Sequence, residues 1–187
     1  MNAEFYKESY SSELDLKEKL NTAISPPLTV ITVLGGVLAF FAHNYTFEQN
    51  CVSIWFLISA TLFALTLGFA IYCILQATTG YAYQRISAGP ELREWHNTLL
   101  KHYEGRPNAQ TLADAEFTRG LTDRYLEATK VNAKNNLSKS AHLMLANRAL
   151  ACAAALAMLA SVPYFIHFYQ ARTPPTRVEI INLPSNR

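Results

Sequence analysis

Residues 52–77 read VSIWFLISATLFALTLGFAIYCILQA, and the chain carries no formal charge between Glu48 and Arg85. A helix needs about 20 apolar residues to cross a hydrocarbon core about 30 Å thick. The alternative, a buried core helix of a soluble protein, normally keeps a polar stripe and is seldom this long. This stretch therefore predicts a transmembrane helix over residues 51–78.

Two other apolar stretches predict further spans. Residues 28–42 read LTVITVLGGVLAFFA inside an uncharged window from Leu20 to Phe47, which predicts a first span over residues 24–44. Residues 149–169 read ALACAAALAMLASVPYFIHFY and just reach the spanning length. Alanine gains little from lipid, so this third segment is expected to pack tightly against protein, with a kink or its last turn at Pro163. A re-entrant or peripheral helix is its alternative.

The remaining segments are more polar. Residues 1–23 predict an amphipathic helix, with Tyr6, Tyr10 and Leu14 at four-residue intervals. It lies either at the headgroups or against the soluble part of the same chain. Residues 85–148 hold most of the charge and predict two helices, the second running without interruption into the third span. Residues 170–187 form a tail. The expected fold is an all-α membrane protein with three transmembrane helices and a helical cytoplasmic extension continuous with the third.

Composition and motifs exclude several classes of function. A formal net charge of +2 is too small to indicate direct nucleic acid binding. Cys51, Cys73 and Cys152 lie in or beside apolar runs without metal-ligand spacing. The sequence has no phosphate-cradling glycine loop, no HExxH and no CxxC. We therefore expect neither a cofactor nor an enzymatic activity. The acidic first two dozen residues do not resemble a signal peptide.

The basic residues indicate the orientation. Lysines precede the first span, the segment between the second and third spans is rich in Lys and Arg, and the link HNYTFEQN has neither. Because cytoplasmic segments carry the excess of Lys and Arg, the N-terminus and residues 85–148 are expected in the cytoplasm and the C-terminus outside. The expected location is a bacterial inner membrane. Four residues are expected at its cytoplasmic boundary: Tyr81, Tyr83, Arg85 and Arg148. Arg148 either anchors at headgroups or lines a water-filled opening.

Small and amide side chains predict helix contacts within the chain or between copies of it. Glycine lets two backbones approach closely in lipid, and small residues every four positions form a packing face. Buried asparagines at a helix interface must pair their amides and thereby fix register, unless that face is partly solvated. The residues concerned are Gly35, Gly36, Ala60, Ala64, Gly68, Asn132, Asn136 and Asn147.

No Asp, Glu, Lys or Arg lies deep in any predicted span. A proton- or ion-coupled transporter usually places one there. The candidate pore-lining residues are Thr29, Thr32, Thr66 and Ser161, whose hydroxyls alternatively bond back to their own helices.

Three stretches carry a resemblance to a known group of proteins. They are YKESYSSELDLKEKLNTAISPPLTVITVLGG, YAYQRISAGPELREWHNTLLKHY and YLEATKVNAKNNLSKSAHLMLANRAL. They resemble small bacterial membrane proteins. Their layout is similar to membrane effectors of anti-phage systems: the SLATT-type proteins of cyclic-oligonucleotide (CBASS) systems, two-span effectors of some retrons, and the membrane subunit of Kiwa. SLATT proteins typically have two spans, whereas this sequence predicts three. The positions that best fit the pattern are Tyr125, Asn132, Asn136 and Arg148.

The resemblance implies a homo-oligomeric defence effector that perturbs or permeabilises the membrane. Its trigger, a cytoplasmic protein or a nucleotide, would act through the cytoplasmic helices. The alternative is a membrane scaffold or sensor that recruits a soluble partner and never conducts.

Overall fold

A computed structural model describes residues 3–172 of the chain. The rest of the predicted tail, residues 173–187, lies outside the described residues. Five helices follow one another: α1 (Ala3–Thr22), α2 (Ser25–Asn44), α3 (Cys51–Thr78), α4 (Gly89–His102) and α5 (Ala109–Arg172). Residues 3–172 contain no strand. Three helical stretches are long and apolar enough to cross a membrane, so the predicted all-α membrane fold is confirmed.

Local sequence sets where the spans begin and end. Only Ala23 and Ile24 separate α1 from α2, whose first turn contains Pro26 and Pro27, where proline is tolerated because the N–H groups lack helical partners. At the start of α3, the Asn50 side chain caps the helix by accepting a 2.8 Å hydrogen bond from the Ser53 amide. The helix ends at Thr78, and Gly80 follows with a φ of 87°, a conformation that glycine adopts without strain.

The core of the membrane part is an antiparallel pairing of α3 and α5. The C-terminal end of α3 packs against Leu143 and Ala146, its middle against residues 149–157, and Phe56 near its start against Ala160 and Tyr164. Along α5 from residue 139 one row of buried positions advances in alternating steps of four and three residues: Lys139, Leu143, Ala146, Leu150, Ala153, Ala157, Ala160, Tyr164 and His167. Ala149 and Pro163 are buried beside this row. Five of the buried α5 side chains in these clusters are alanines, which lets the two backbones approach closely.

Helix α2 covers this pair from one side. Leu34 joins the central cluster, and Phe41 joins an aromatic cluster with Phe56 and Tyr164 at the opposite end of the spans from α4. Tyr45, just after α2, stacks on Phe56 with ring centroids 3.8 Å apart. Aromatic pairs of this kind stabilise by about 0.5–1.5 kcal/mol beyond their buried area. The cluster therefore fixes the α2–α3 turn against the end of α5.

Helix α5 joins the polar region after α3 to the third span without a break. Its 64 residues correspond to a rod roughly 96 Å long at 1.5 Å per residue. The predicted uninterrupted helix is therefore present. Pro163 lies inside α5, which continues to Arg172, so Pro163 does not mark the last turn.

Helices α1 and α4 pack on the polar, N-terminal part of α5. The α4 contact has the Trp95 ring 4.8 Å from that of Phe117 and a 2.7 Å His96–Asp114 ion pair. The indole also lies over Gly120, where an added Cβ would come within 2.7 Å of it. Helix α1 packs along α5 as well. Helix α1 thus contacts the chain's own polar part, and its predicted position at the headgroups stays a prediction.

Candidate functional site

Residues 79–88 connect α3 to α4 as a non-helical segment that lies along α5. Asn132 holds this segment through two hydrogen bonds to one residue. Its Oδ1 accepts from the Gln84 amide at 2.9 Å, and its Nδ2 donates to the Gln84 carbonyl at 3.1 Å. Asn132 is 0% exposed. Its side-chain amide thus satisfies both backbone groups of Gln84, as a neighbouring strand would.

The next turns of α5 extend this ladder of asparagines. Asn135 Nδ2 donates to the Ala82 carbonyl at 2.7 Å. Asn136 Oδ1 accepts a 2.7 Å bond from the Tyr83 hydroxyl. Asn136 Nδ2 donates to both the carbonyl and the carboxylate of Glu13, each at 2.8 Å. Asn136 therefore ties α1, the connecting segment and α5 together at one point.

Helix α1 completes the arrangement from the other side. The Ile86 amide donates to the Tyr10 hydroxyl at 3.2 Å, and the Tyr10 ring lies 5.5 Å from that of Tyr125. The Lys17 ammonium lies 4.5 Å from the centre of the Tyr83 ring, a cation–π contact. We call this region the polar junction, defined by Tyr10, Glu13, Lys17, Asn21, Tyr81, Ala82, Tyr83, Gln84, Arg85, Ile86, Asn132, Asn135, Asn136 and Lys139.

Lys139 is the buried cation of the polar junction. Lys139 is only 4% exposed, and its ammonium donates a hydrogen bond to Asn21 Oδ1. Burial, with a smaller effect of the nearby Lys17 charge, lowers the pKa of Lys139 below its ordinary value. Burial also raises the pKa of Tyr83, and the neighbouring Tyr81 and Glu13 add to this effect. Both shifts reflect the water excluded where the three chain segments meet.

Comparison with known proteins adds no family to these observations. A scan against protein-family models gives no match, and searches of the curated proteins and of the solved structures give none either. Inferences about function therefore rest on the residues and geometry of this chain.

The structure gathers some of the sequence-predicted residues and leaves others apart. Five of them meet in the polar junction, where Arg85 also lines a cleft: Tyr81, Tyr83, Arg85, Asn132 and Asn136. Asn147 is exposed in the single chain and lies outside the polar junction, so its predicted contact is not made within the chain and a contact between copies stays a prediction. The buried row steps from Leu143 to Ala146 and Leu150, and position 147 falls outside it. Arg148 is also exposed.

The predicted small-residue contacts are mostly not made within one chain. A Cβ added to Gly35, Gly36 or Gly68 meets no atom within 4 Å. Ala64 is half-buried, and Ala60 is partly buried against the aromatic cluster. The glycines therefore present surface that no helix of the same chain covers in the described residues.

Each candidate pore-lining hydroxyl bonds to its own helix. Thr29, Thr32 and Thr66 donate to the carbonyl four residues earlier, and Ser161 donates to the carbonyl three residues earlier. Such bonds satisfy the hydroxyl donors without water or a second helix.

Sequence reasoning missed several residues of the polar junction, Lys139 and Glu13 among them. A signal for Lys139 is present: it fills the gap between Asn136 and Leu143 on the buried face. Glu13 could not be found this way, because its partner is 123 positions away in the chain. The residues of the junction can hold and orient chain segments and bind an anion. Among the described residues, no group of three His, Cys, Asp or Glu is placed to hold a metal.

Proposed function

We propose that this chain is a homo-oligomeric membrane effector of bacterial anti-phage defence. In this proposal a cytoplasmic trigger, a protein or a nucleotide, rearranges the cytoplasmic helices, and the spans then perturb or permeabilise the inner membrane. The N-terminus and the α4–α5 hairpin face the cytoplasm, and the C-terminus lies outside, as the positive-inside rule predicts. The defence setting is supported by the resemblance in layout alone.

One observation carries the effector mechanism: α5 is a single helix from the α4 contact to the third span. A helix without a flexible linker passes a tilt or rotation at one end to the other. The polar junction lies between the two ends and ties α1 and the connecting segment to the same helix. A trigger shifts such a system only if it binds one arrangement better than the other. The turn between α4 and α5, more than 40 residues before the third span along the chain, is the part exposed to such a trigger.

Membrane potential in living cells tests the effector mechanism. The chain is expressed from a titratable promoter in a laboratory bacterium, with and without phage challenge, while a potential-sensitive dye is followed. We expect depolarisation in at least one triggered condition. Ala141→Pro should break α5 between the hairpin and the third span, because proline removes a helical hydrogen bond and clashes with the preceding turn. This variant should stay in the membrane fraction and show no depolarisation. Ala141→Ser is the matched control at the same exposed position.

An unchanged potential at confirmed expression, throughout a broad phage panel, would contradict the effector proposal. A response that survives Ala141→Pro would contradict only its transmission through α5.

The second candidate is a scaffold or sensor that recruits a soluble partner without conducting. The observation favouring it is that Thr29, Thr32, Thr66 and Ser161 all bond back to their own helices, with no charged residue in residues 24–44, 51–78 or 149–169. Affinity purification separates the candidates: a stoichiometric soluble partner together with an unchanged potential supports the scaffold.

Topology is tested separately by reporter enzymes. At Gly105 in the α4–α5 turn, a reporter enzyme that works only in the cytoplasm should be active, and one that works only outside the cell membrane should be inactive. After Arg187, the reporter that works only outside should be active and the one that works only in the cytoplasm should be inactive. The reverse pattern would overturn the orientation and leave the helix assignments untouched.

A further inference from the structure

A cleft of about 390 Å³ opens beside the polar junction, between α1, the start of the connecting segment and α5. Three cations line it, Lys17, Arg85 and Lys139. Hydrogen-bonding side chains complete the lining: Asn21, Thr78, Tyr81 and Tyr83. The described lining residues include no carboxylate. The cleft therefore combines concentrated positive charge with neutral donors, the composition of an anion site.

The positive charge in the cleft is not balanced by the chain. Lys139 is 4% exposed, and its ammonium makes a bond to the neutral Asn21 amide oxygen. An ammonium has three donors, and a buried charge is costly unless it is paired. Among the residues that the structure describes, no carboxylate oxygen lies within 4 Å of the side-chain nitrogens of Lys17, Arg85 or Lys139. The Glu13 carboxylate nearby accepts from Asn136 and does not line the cleft.

The cleft also lies at the polar end of the helices that are long and apolar enough to span a membrane. Thr78, the last residue of α3, forms part of its wall. Met144 is 48% exposed and apolar, and it lies only five residues, roughly 8 Å along the helix axis, beyond Lys139. Basic pockets at the cytoplasmic ends of transmembrane helices are suited to anionic headgroups. The same chemistry would serve a soluble phosphate compound that enters from the cytoplasm.

We propose that the cleft between Lys17, Arg85 and Lys139 binds a phosphate group, supplied either by an anionic phospholipid headgroup or by a soluble phosphate compound. Bound there, the phosphate neutralises the buried ammonium and joins α1, the connecting segment and α5 through one anion. The inference stands on the cleft itself and does not require the effector function.

Two probes distinguish the sources. The full chain is purified in an uncharged detergent, and its thermal unfolding midpoint is followed by the fluorescence of Trp55 and Trp95. One arm titrates sodium pyrophosphate against sodium chloride at equal ionic strength. The other titrates dihexanoyl phosphatidylglycerol against dihexanoyl phosphatidylcholine. Because a ligand that binds only the folded state stabilises it, binding appears as a saturable rise of the midpoint.

Variants assign the binding to the cleft. Lys139→Met should raise the ligand concentration that gives half of the maximal midpoint shift by at least tenfold. Lys139→Arg should retain binding. Lys134→Met, an exposed lysine on the same helix outside the cleft, is the matched control and should bind as the original chain does. If Lys139→Met does not fold, Arg85→Gln replaces it, since Arg85 is exposed and lines the same cleft.

Each outcome decides the proposal. A rise with pyrophosphate alone assigns the site to a soluble phosphate compound, and a rise with phosphatidylglycerol alone assigns it to lipid. A rise with both supports a site for the shared group. The proposal is overturned if neither probe exceeds its control, or if the rise is the same in Lys139→Met and Arg85→Gln as in the original chain.

Discussion

Replacing Asn132 by alanine tests the central contact of the polar junction. Asn132 is fully buried and makes two hydrogen bonds to the backbone of Gln84, at 2.9 and 3.1 Å. Alanine at this position keeps α5 helical, because it has the highest helix propensity of any residue. The change therefore removes the two bonds to the connecting segment without weakening the helix that carries them.

The expected magnitude follows from those two bonds. Each neutral intramolecular hydrogen bond contributes about 0.5–1.5 kcal/mol net, so Asn132→Ala should lower the free energy of opening of residues 79–88 by about 1–3 kcal/mol. At about 1.4 kcal/mol per factor of ten, the open fraction of the segment should rise roughly 5- to 150-fold.

Hydrogen–deuterium exchange with peptide-level mass spectrometry measures that opening. Peptides covering residues 79–88 should exchange faster in Asn132→Ala by the factor given above, while peptides of the third span keep their protection. Asn147→Ala is the matched control, because Asn147 is an exposed asparagine on the same helix. Equal exchange of residues 79–88 in Asn132→Ala and the original chain would refute the assignment of this side chain as their anchor.

Three other substitutions probe the rest of the fold. Ala153 is 0% exposed, so Ala153→Leu should lower the free energy of unfolding in detergent by about 1–3 kcal/mol. Ala151→Leu, at an exposed position, should not, and equal effects would contradict the close approach of α3 and α5 at Ala153. Gly120→Ala should displace the indole of α4 and change its fluorescence, because the new Cβ would lie 2.7 Å from that ring; Gly89→Ala, with open space around it, should be silent. Lys139→Met should abolish a rise in the unfolding midpoint as pH increases toward 10.5. The rise is expected because the lowered pKa makes the folded state release its proton before the unfolded state does, and a flat profile in the original chain would refute it.

Much of the membrane part is predictable because its causes are local. The uncharged run over residues 52–77 is apolar on every side, so its length and composition alone predict a span, and α3 covers Cys51–Thr78. The same holds for residues 24–44, which correspond to α2. The absence of Gly and Pro from residue 121 to residue 162 predicts a long unbroken helix, and α5 contains it.

The polar junction was only half predictable, because its two sides are far apart in the chain. The asparagines at positions 132 and 136 stand out on one helix face, but their partners lie on Gln84, Tyr83 and Glu13, and several of these partners are backbone groups, which no side-chain pattern reveals. The spacing of asparagines in the sequence also includes Asn147, which is exposed and lies outside the buried face of α5. From residue 136 onward the buried face steps by three and four, following α3 as its partner, and that partner is known only from the fold.

The sequence by itself determined that this chain has three helical segments apolar enough for lipid and that the third belongs to a long helix extending beyond the apolar segment. Both follow from hydrophobic length and helix propensity, which act within each segment. Only the tertiary structure decided which polar groups satisfy one another and where the buried Lys139 lies without a carboxylate partner among the described residues. Both depend on the packing of α1 and residues 79–88 against α5, and such contacts between distant segments are fixed by shape and by hydrogen-bond partners.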